Sequence, residues 1–129
     1  MDQSKLILVI DDEAYFREIF SEKLKVQGFR VDTAEEAQSG FERAKALQPD
    51  LVLLDVKMPG MDGIQAIHKF QEDPATKNLK IVFLTNLGEA QSQAQKVDEK
   101  FSLAIGAIGY IKKSDDLDAV VQQIKLFLK

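Results

Sequence analysis

The sequence predicts an α/β fold: a five-stranded, doubly wound parallel sheet with helices on both faces. Three observations point there. Five strand-length segments, four of them mainly apolar, alternate with helical stripes along 129 residues. The runs "LILVI" and "LVLL" are apolar without interruption, the pattern of parallel strands buried on both sides. Right-handed crossovers then lay the intervening helices on the two faces of one sheet.

Each element has its own signal. The first strand is Leu6–Ile10, stopped by Asp11 and Asp12. From Ala14 to Gln27, Phe16, Ile19, Phe20 and Leu24 recur at helical spacing, and Gly28 is placed to end that helix. In "FRVDTA", Phe29, Val31 and Thr33 alternate with polar neighbours, a short strand nearer an edge. Ala37, Phe41, Ala44 and Leu47 form a second helical stripe that stops before Pro49, with Gly40 inside it for close helix–sheet packing. "LVLLD" is the third strand and should lie centrally. After a Pro-Gly turn, Ile64, Ile67 and Phe70 mark a third helix, and "KIVFLT" (80–85) is the fourth strand. Ala90, Ala94, Val97, Phe101 and Ala104 outline a long amphipathic helix. "AIGYIKK" is the short fifth strand. Ser114 then reads as an N-cap, with Asp115 and Asp116 in the positive first turn of a helix carrying Leu117, Val120, Val121, Ile124 and Leu128.

Bulk composition narrows the functional classes. The chain suits one compact domain, residues 1–129, of a size that buries roughly two thirds of its unfolded surface. No apolar run approaches a membrane span and no signal-peptide pattern is visible, so a cytoplasmic protein without membrane partners is expected. There is no cysteine, hence no disulfide framework, thiolate metal site or thiol nucleophile. With 17 basic and 21 acidic residues the formal charge is −4, a poor basis for direct contact with nucleic acid.

Ligands of doubly wound sheets bind outside the carboxyl ends of the strands. Here those ends carry Asp11 and Asp12, Asp55, Thr85, and Lys112 or Lys113. Two carboxylates about 5 Å apart repel by roughly 3 kcal/mol at an effective dielectric near 20. Three would raise one another's pKa unless a cation sits among them. A hard divalent ion such as Mg²⁺ suits an all-oxygen site, while a lysine and a threonine can hold phosphoryl oxygens. A buried strand ending on Asp55 is then understandable if that carboxylate is a nucleophile toward phosphorus, with metal and lysine neutralising the transferring oxygens.

"VIDDE", "PDLVLLDVKMPGMDG", "IVFLT" and "GAIGYIKK", in this order, resemble the signature segments of response-regulator receiver domains of two-component signalling. The resemblance spans essentially the whole chain and implies a flavodoxin-like sheet with strand order 2-1-3-4-5. It implies that Asp55 is the phosphoacceptor, taking a phosphoryl group from a histidine kinase or a histidine phosphotransfer protein. It further implies Mg²⁺ held by the carboxylates of Asp12 and Asp55, by the backbone carbonyl of Lys57, and by Asp11 mainly through water. Thr85 would be the switch hydroxyl and Tyr110 the switch aromatic. The family spacing from that aromatic selects Lys113 over Lys112 as the phosphoryl-binding lysine. Thr85 and Tyr110 would relay phosphorylation to the face formed by the fourth expected helix, the fifth strand and the last helix, where a downstream protein would dock. The domain would be regulatory rather than an enzyme, promoting its own aspartyl phosphorylation and dephosphorylation, and either stand-alone or excised.

The sequence departs from the family pattern in places. Ser114 stands where proline usually follows the lysine, leaving the Lys113–Ser114 bond geometry open. The resemblance implies that the positions held here by Asn86 and Lys57 gate the attacking water; both side chains exceed minimal size, so the phosphoryl lifetime should not be the shortest. The stretch between Thr85 and Tyr110 is longer than usual, with the extra residues in "GEAQSQAQKVDEKF".

Plainer readings compete at each position. Asp11 and Asp12 taken alone would cap the first helix, and Thr85 and Tyr110 would be ordinary strand residues. His68 has no partner for a metal site. Met58 and Met61 are turn and rim packing. Rival functions are an aspartyl-nucleophile phosphatase, a flavin or nucleotide module, and a docking-only pseudo-receiver. The first wants its nucleophile after strand one, the second a Gly/Ser/Thr-rich loop where "DDEAYF" stands, and the third eroded acidic residues.

Overall fold

The computed structural model describes residues 4–85, 103, 105–113 and 116–129. Its elements run β1 (Leu6–Ile10), α1 (Ala14–Val26), β2 (Arg30–Ala34), α2 (Ala37–Leu47), β3 (Leu51–Asp55), α3 (Gly63–Glu72), β4 (Ile81–Thr85), β5 (Gly109–Lys112) and the C-terminal α4 (Leu117–Phe127). The strands pair in parallel in the order β2-β1-β3-β4-β5, the expected architecture. The helix expected over 90–104, Asn86 and the Lys113–Ser114 bond fall outside the described residues.

The strand pleat sorts the apolar side chains into two cores. Leu8, Ile10, Val52, Leu54, Ile81 and Phe83 pack with Phe41, Ile67 and Phe70 from α2 and α3. Their strand neighbours Ile7, Val9, Leu51, Leu53, Val82 and Leu84 face the other way, onto Phe20 and Leu24 of α1 and Val120, Val121 and Ile124 of α4. Burying each Leu, Ile or Phe is worth about 1.5–3 kcal/mol, so continuous apolar runs are what a sheet covered on both sides requires. β2, at one edge of the sheet, is half-buried, in keeping with its alternating sequence.

Helix ends follow local chemistry. α1 ends just before Gly28, which takes φ +95°. α2 ends at Gln48, a non-glycine residue at φ 49°; its side-chain amide donates to the Ala75 carbonyl at 2.9 Å and so helps hold the left-handed turn. Gly40 of α2 lies where a Cβ would collide with the Ile10 side chain, so the close packing expected there is present. The N-cap of the last helix differs from the sequence reading. Asp116, not Ser114, caps α4, accepting from the backbone N–H groups of Asp118 (3.1 Å) and Ala119 (3.4 Å). The caps Ser and Asp are intrinsically comparable, so residue type alone does not choose between them.

The loop after β3 is tied down at both ends. Gly60 turns at φ +78°, and the Gly63 N–H donates to the Val56 carbonyl at 2.8 Å. A Cβ on Gly63 would lie 2.5 Å from the Asp55 carbonyl oxygen, so only glycine lets α3 start this close to the end of β3. Asp62 and Gln65 form a reciprocal capping box, with Gln65 N donating to Asp62 Oδ1 (2.8 Å) and Asp62 N to Gln65 Oε1 (3.1 Å). Together these contacts anchor the backbone that carries Asp55.

Candidate functional site

The carboxyl ends of β1, β3, β4 and β5 lie side by side, and the pleat decides which of their side chains meet. Asp11 continues the β1 ladder, its N–H donating to the Ala34 carbonyl, and follows the parity of Ile7 and Val9. Asp55 follows Leu51 and Leu53, and Lys113 follows Ile111, its N–H still bonded to the Thr85 carbonyl. All three therefore point toward the α1 side. Lys112 has the opposite parity, which accounts physically for Lys113 being the lysine in the cluster.

Distances bear this out. Lys113 Nζ lies 2.8 Å from Asp11 Oδ2 and 3.8 Å from Asp55 Oδ2. The ammonium also pairs with the Glu13 carboxylate and sits 4.6 Å from the Phe16 ring centroid. Asp11 is fully buried and Asp55 nearly so, whereas Asp12 is exposed. Carboxylate oxygens of Asp11, Asp12 and Asp55 all lie within 4.8 Å of one another, the one group among the described residues with this donor pattern. Lys57, exposed beside them, donates its backbone N–H to Asp55 Oδ1 at 3.3 Å.

Electrostatics follow from burial. Desolvation, with the charge of Asp11 added, pushes the Asp55 pKa up from 3.8 to about 8, against the pull of Lys113. Burial likewise raises Asp11, although Lys113 opposes it. For Lys113, burial favours the neutral amine, but Asp11, Glu13 and Asp55 outweigh it and the pKa is raised. One ammonium thus faces more negative charge than it can neutralise.

Thr85 and Tyr110 lie on the other face of the sheet. Thr85 pairs with Lys112 and Tyr110 with Phe83, so the two share one side as diagonal neighbours on adjacent strands. Tyr110 is half-buried against the core formed with α2 and α3. Thr85 is nearly fully buried, and its hydroxyl has no hydrogen-bond partner. Such an oxygen is costly to bury, and at the end of β4, the strand that pairs with β3, it is a donor without an acceptor.

Among the plainer alternatives, neither Asp11 nor Asp12 caps α1. Glu13 occupies that N-cap position, and its side chain makes no capping bond. His68 is exposed on α3, Met58 is buried and Met61 packs against the same core. Sequence reasoning missed Glu13 and Phe16, both in contact with Lys113, and Arg17, whose Nη1 donates to the Asp11 carbonyl at 2.6 Å and braces the β1–α1 turn. Helical spacing from Asp12 places Phe16 and Arg17 one turn on, but nothing in it says which side chain reaches across to β5.

The chain matches the response regulator receiver domain family over residues 7–125. It is 36% identical over 126 residues to the chemotaxis protein CheY of Treponema pallidum, covering 95% of this chain and 82% of that protein. It is 33% identical over 125 residues to the phosphate regulon transcriptional regulatory protein PhoB of Pseudomonas aeruginosa, covering 97% of this chain and 52% of that protein. The chain thus spans about half the length of several curated relatives it matches. The crystal structure of a CheY-like response regulator receiver domain protein from Methanospirillum hungatei superposes with a TM-score of 0.82 at 28% identity, over 98% of this chain and 94% of that one.

Proposed function

We propose, from the premise that this chain belongs to the response regulator receiver domain family of two-component signalling, that Asp55 is its phosphoacceptor. The observation that carries this reading is the cluster itself, in which a nearly buried carboxylate stands between two others and a buried lysine. The donor set fits a hard divalent ion. Asp11, Asp12 and Asp55 offer oxygens within 4.8 Å of one another, and with the Lys57 carbonyl they would hold Mg²⁺. When bound, that ion supplies positive charge against the carboxylates and the transferring phosphoryl oxygens.

The residues of the chain do the rest. With the local negative charge balanced, Asp55 is held as a carboxylate rather than the acid its raised pKa favours. One of its oxygens attacks phosphorus and forms a new O–P bond as the donor's P–N bond breaks. The departing imidazole keeps the electron pair. Lys113 stabilises a phosphoryl oxygen, and the Thr85 hydroxyl donates to another. That movement of Thr85 draws Tyr110, on the same sheet face, toward the space it leaves. A coupling of this kind is typically worth about 1–3 kcal/mol, enough to shift a population.

The same reading takes residues 1–129 as one receiver unit that promotes its own aspartyl phosphorylation and dephosphorylation, with a histidine kinase or phosphotransfer protein upstream. A protein target docks on the face that includes β5 and α4, and the acidic chain makes no direct nucleic-acid contact. No described helix is long and apolar enough to cross a membrane; the cytoplasmic site of action belongs to the proposal and rests on the family.

The test is labelling with a small phosphodonor such as phosphoramidate in the presence of Mg²⁺. Wild-type protein should incorporate base-labile phosphate, as an acyl phosphate does, and Asp55→Asn none. Persistent labelling of Asp55→Asn at another residue would count against the assignment.

A further inference from the structure

We infer that Glu13 is a positioning residue that holds Lys113 in the resting protein and competes with the incoming phosphoryl group for its ammonium. The inference rests on the phosphoacceptor reading of Asp55 and deepens it. Glu13 stands at the N-cap of α1, where a short side chain would turn back to the free N–H groups of the helix. It does not. Its backbone is extended (φ −86°, ψ 109°), its own N–H donates to Asp11 Oδ1 at 2.9 Å, and its carboxylate reaches across the rim to Lys113.

The two partners differ in how firmly they are held. The Lys113 side chain is only 8% exposed, pinned by Asp11 and lying over Phe16, whereas the Glu13 side chain is 55% exposed. Glu13 is therefore the partner that can release, swinging its carboxylate into water at little cost. Asp55 is the more distant carboxylate, at 3.8 Å. In the resting state the ammonium is thus drawn toward the β1–α1 turn and away from the position where phosphorus would arrive. Taking up a phosphoryl group on Asp55 means exchanging the Glu13 contact for a phosphoryl oxygen. The exchange weakens acceptance of the group by whatever the Glu13 contact is worth.

A half-exposed ion pair of this kind corresponds to about two- to five-fold in an equilibrium constant. The experiment is a titration of the full chain with beryllofluoride at saturating Mg²⁺, followed by NMR, on wild type, Glu13→Gln and Glu13→Asp. Glu13→Gln keeps the length and removes the charge. Glu13→Asp keeps the charge but is too short to reach Lys113. Both variants should bind beryllofluoride about two- to five-fold more tightly than wild type, and in both the side-chain signals of Lys113 should shift in the ligand-free protein. A wild-type protein that binds while both variants bind no more tightly would overturn the inference and leave the phosphoacceptor reading standing. So would a gain confined to Glu13→Gln, because that would be a general field effect. A wild-type protein that takes up no beryllofluoride would overturn the reading and the inference together.

Discussion

Lys113 and Asp11 meet at 2.8 Å across the rim of the sheet, both almost wholly withdrawn from solvent. Removing one partner of such a buried pair leaves the other's charge uncompensated, at a cost of about 3–5 kcal/mol. Lys113→Met should therefore lower the urea midpoint at pH 8 in the absence of metal, and Mg²⁺ should recover much of the loss. At lower pH the penalty should shrink, because Asp11, already raised by burial, can escape by protonation. An unchanged midpoint would show that the pair is not formed in solution.

Asp55 gives the opposite sign. A carboxyl whose pKa is about 8 in the folded chain, against an ordinary 3.8, favours folding while protonated. That contribution is complete below about pH 4 and is lost as pH rises through about 8. Asp55→Asn, which stays neutral, should therefore be more stable than metal-free wild type, with an advantage that grows from pH 5 to pH 9. Urea denaturation at several pH values measures it. A constant difference across that range would contradict the electrostatic assignment.

Mg²⁺ affinity should carry the same titration. A protonated Asp55 cannot ligate, so binding near neutral pH releases a proton and the apparent affinity rises until about pH 8. Calorimetry in buffers of different ionisation enthalpy detects the released proton. Affinity independent of pH between 6 and 9 would be the contrary result.

At Thr85 the hydroxyl is buried and unpartnered. Thr85→Val exchanges it for a methyl group and should leave the resting stability unchanged or raise it by about 1 kcal/mol. The same variant should still take up beryllofluoride at Asp55 yet lose the NMR response at Tyr110. A full Tyr110 response without the hydroxyl would remove Thr85 from the relay.

Gly63 offers a test remote from the charges. A methyl group there would press on the Asp55 carbonyl and on Val56 Cα, 2.5 and 2.8 Å away, both backbone atoms that cannot turn aside. Gly63→Ala should destabilise by about 1–3 kcal/mol and slow phosphorylation by displacing the end of β3. Wild-type stability and rate in this variant would mean that α3 does not start as close to β3 as described.

Much of this was legible in the chain. The apolar runs of β1, β3 and β4 announce a sheet covered on both faces, and the carboxylates that interrupt them mark the rim where Asp11 and Asp55 meet. The choice of Lys113 over Lys112 comes from the family spacing alone; the parity that sets Lys113 with Asp11 and Asp55 is visible only in the structure, where Ile111 shares a core with Leu84. What stayed hidden depends on tertiary distance. Glu13 looks like one more surface acid until its reach across to β5 is known. Asp116 and Ser114 are chemically comparable caps, so residue type alone does not select between them. The capping box of Asp62 and Gln65 was readable as D-x-x-Q before an apolar helix, and the Pro-Gly turn obscured it.

The most direct measurement is the location of the phosphoryl group. Wild-type protein treated with phosphoramidate and Mg²⁺, digested under conditions that preserve acyl phosphates and sequenced by tandem mass spectrometry, should carry one added phosphoryl group on Asp55. A group found on Asp11, Asp12 or a hydroxyl residue, with Asp55 unmodified, would contradict the account.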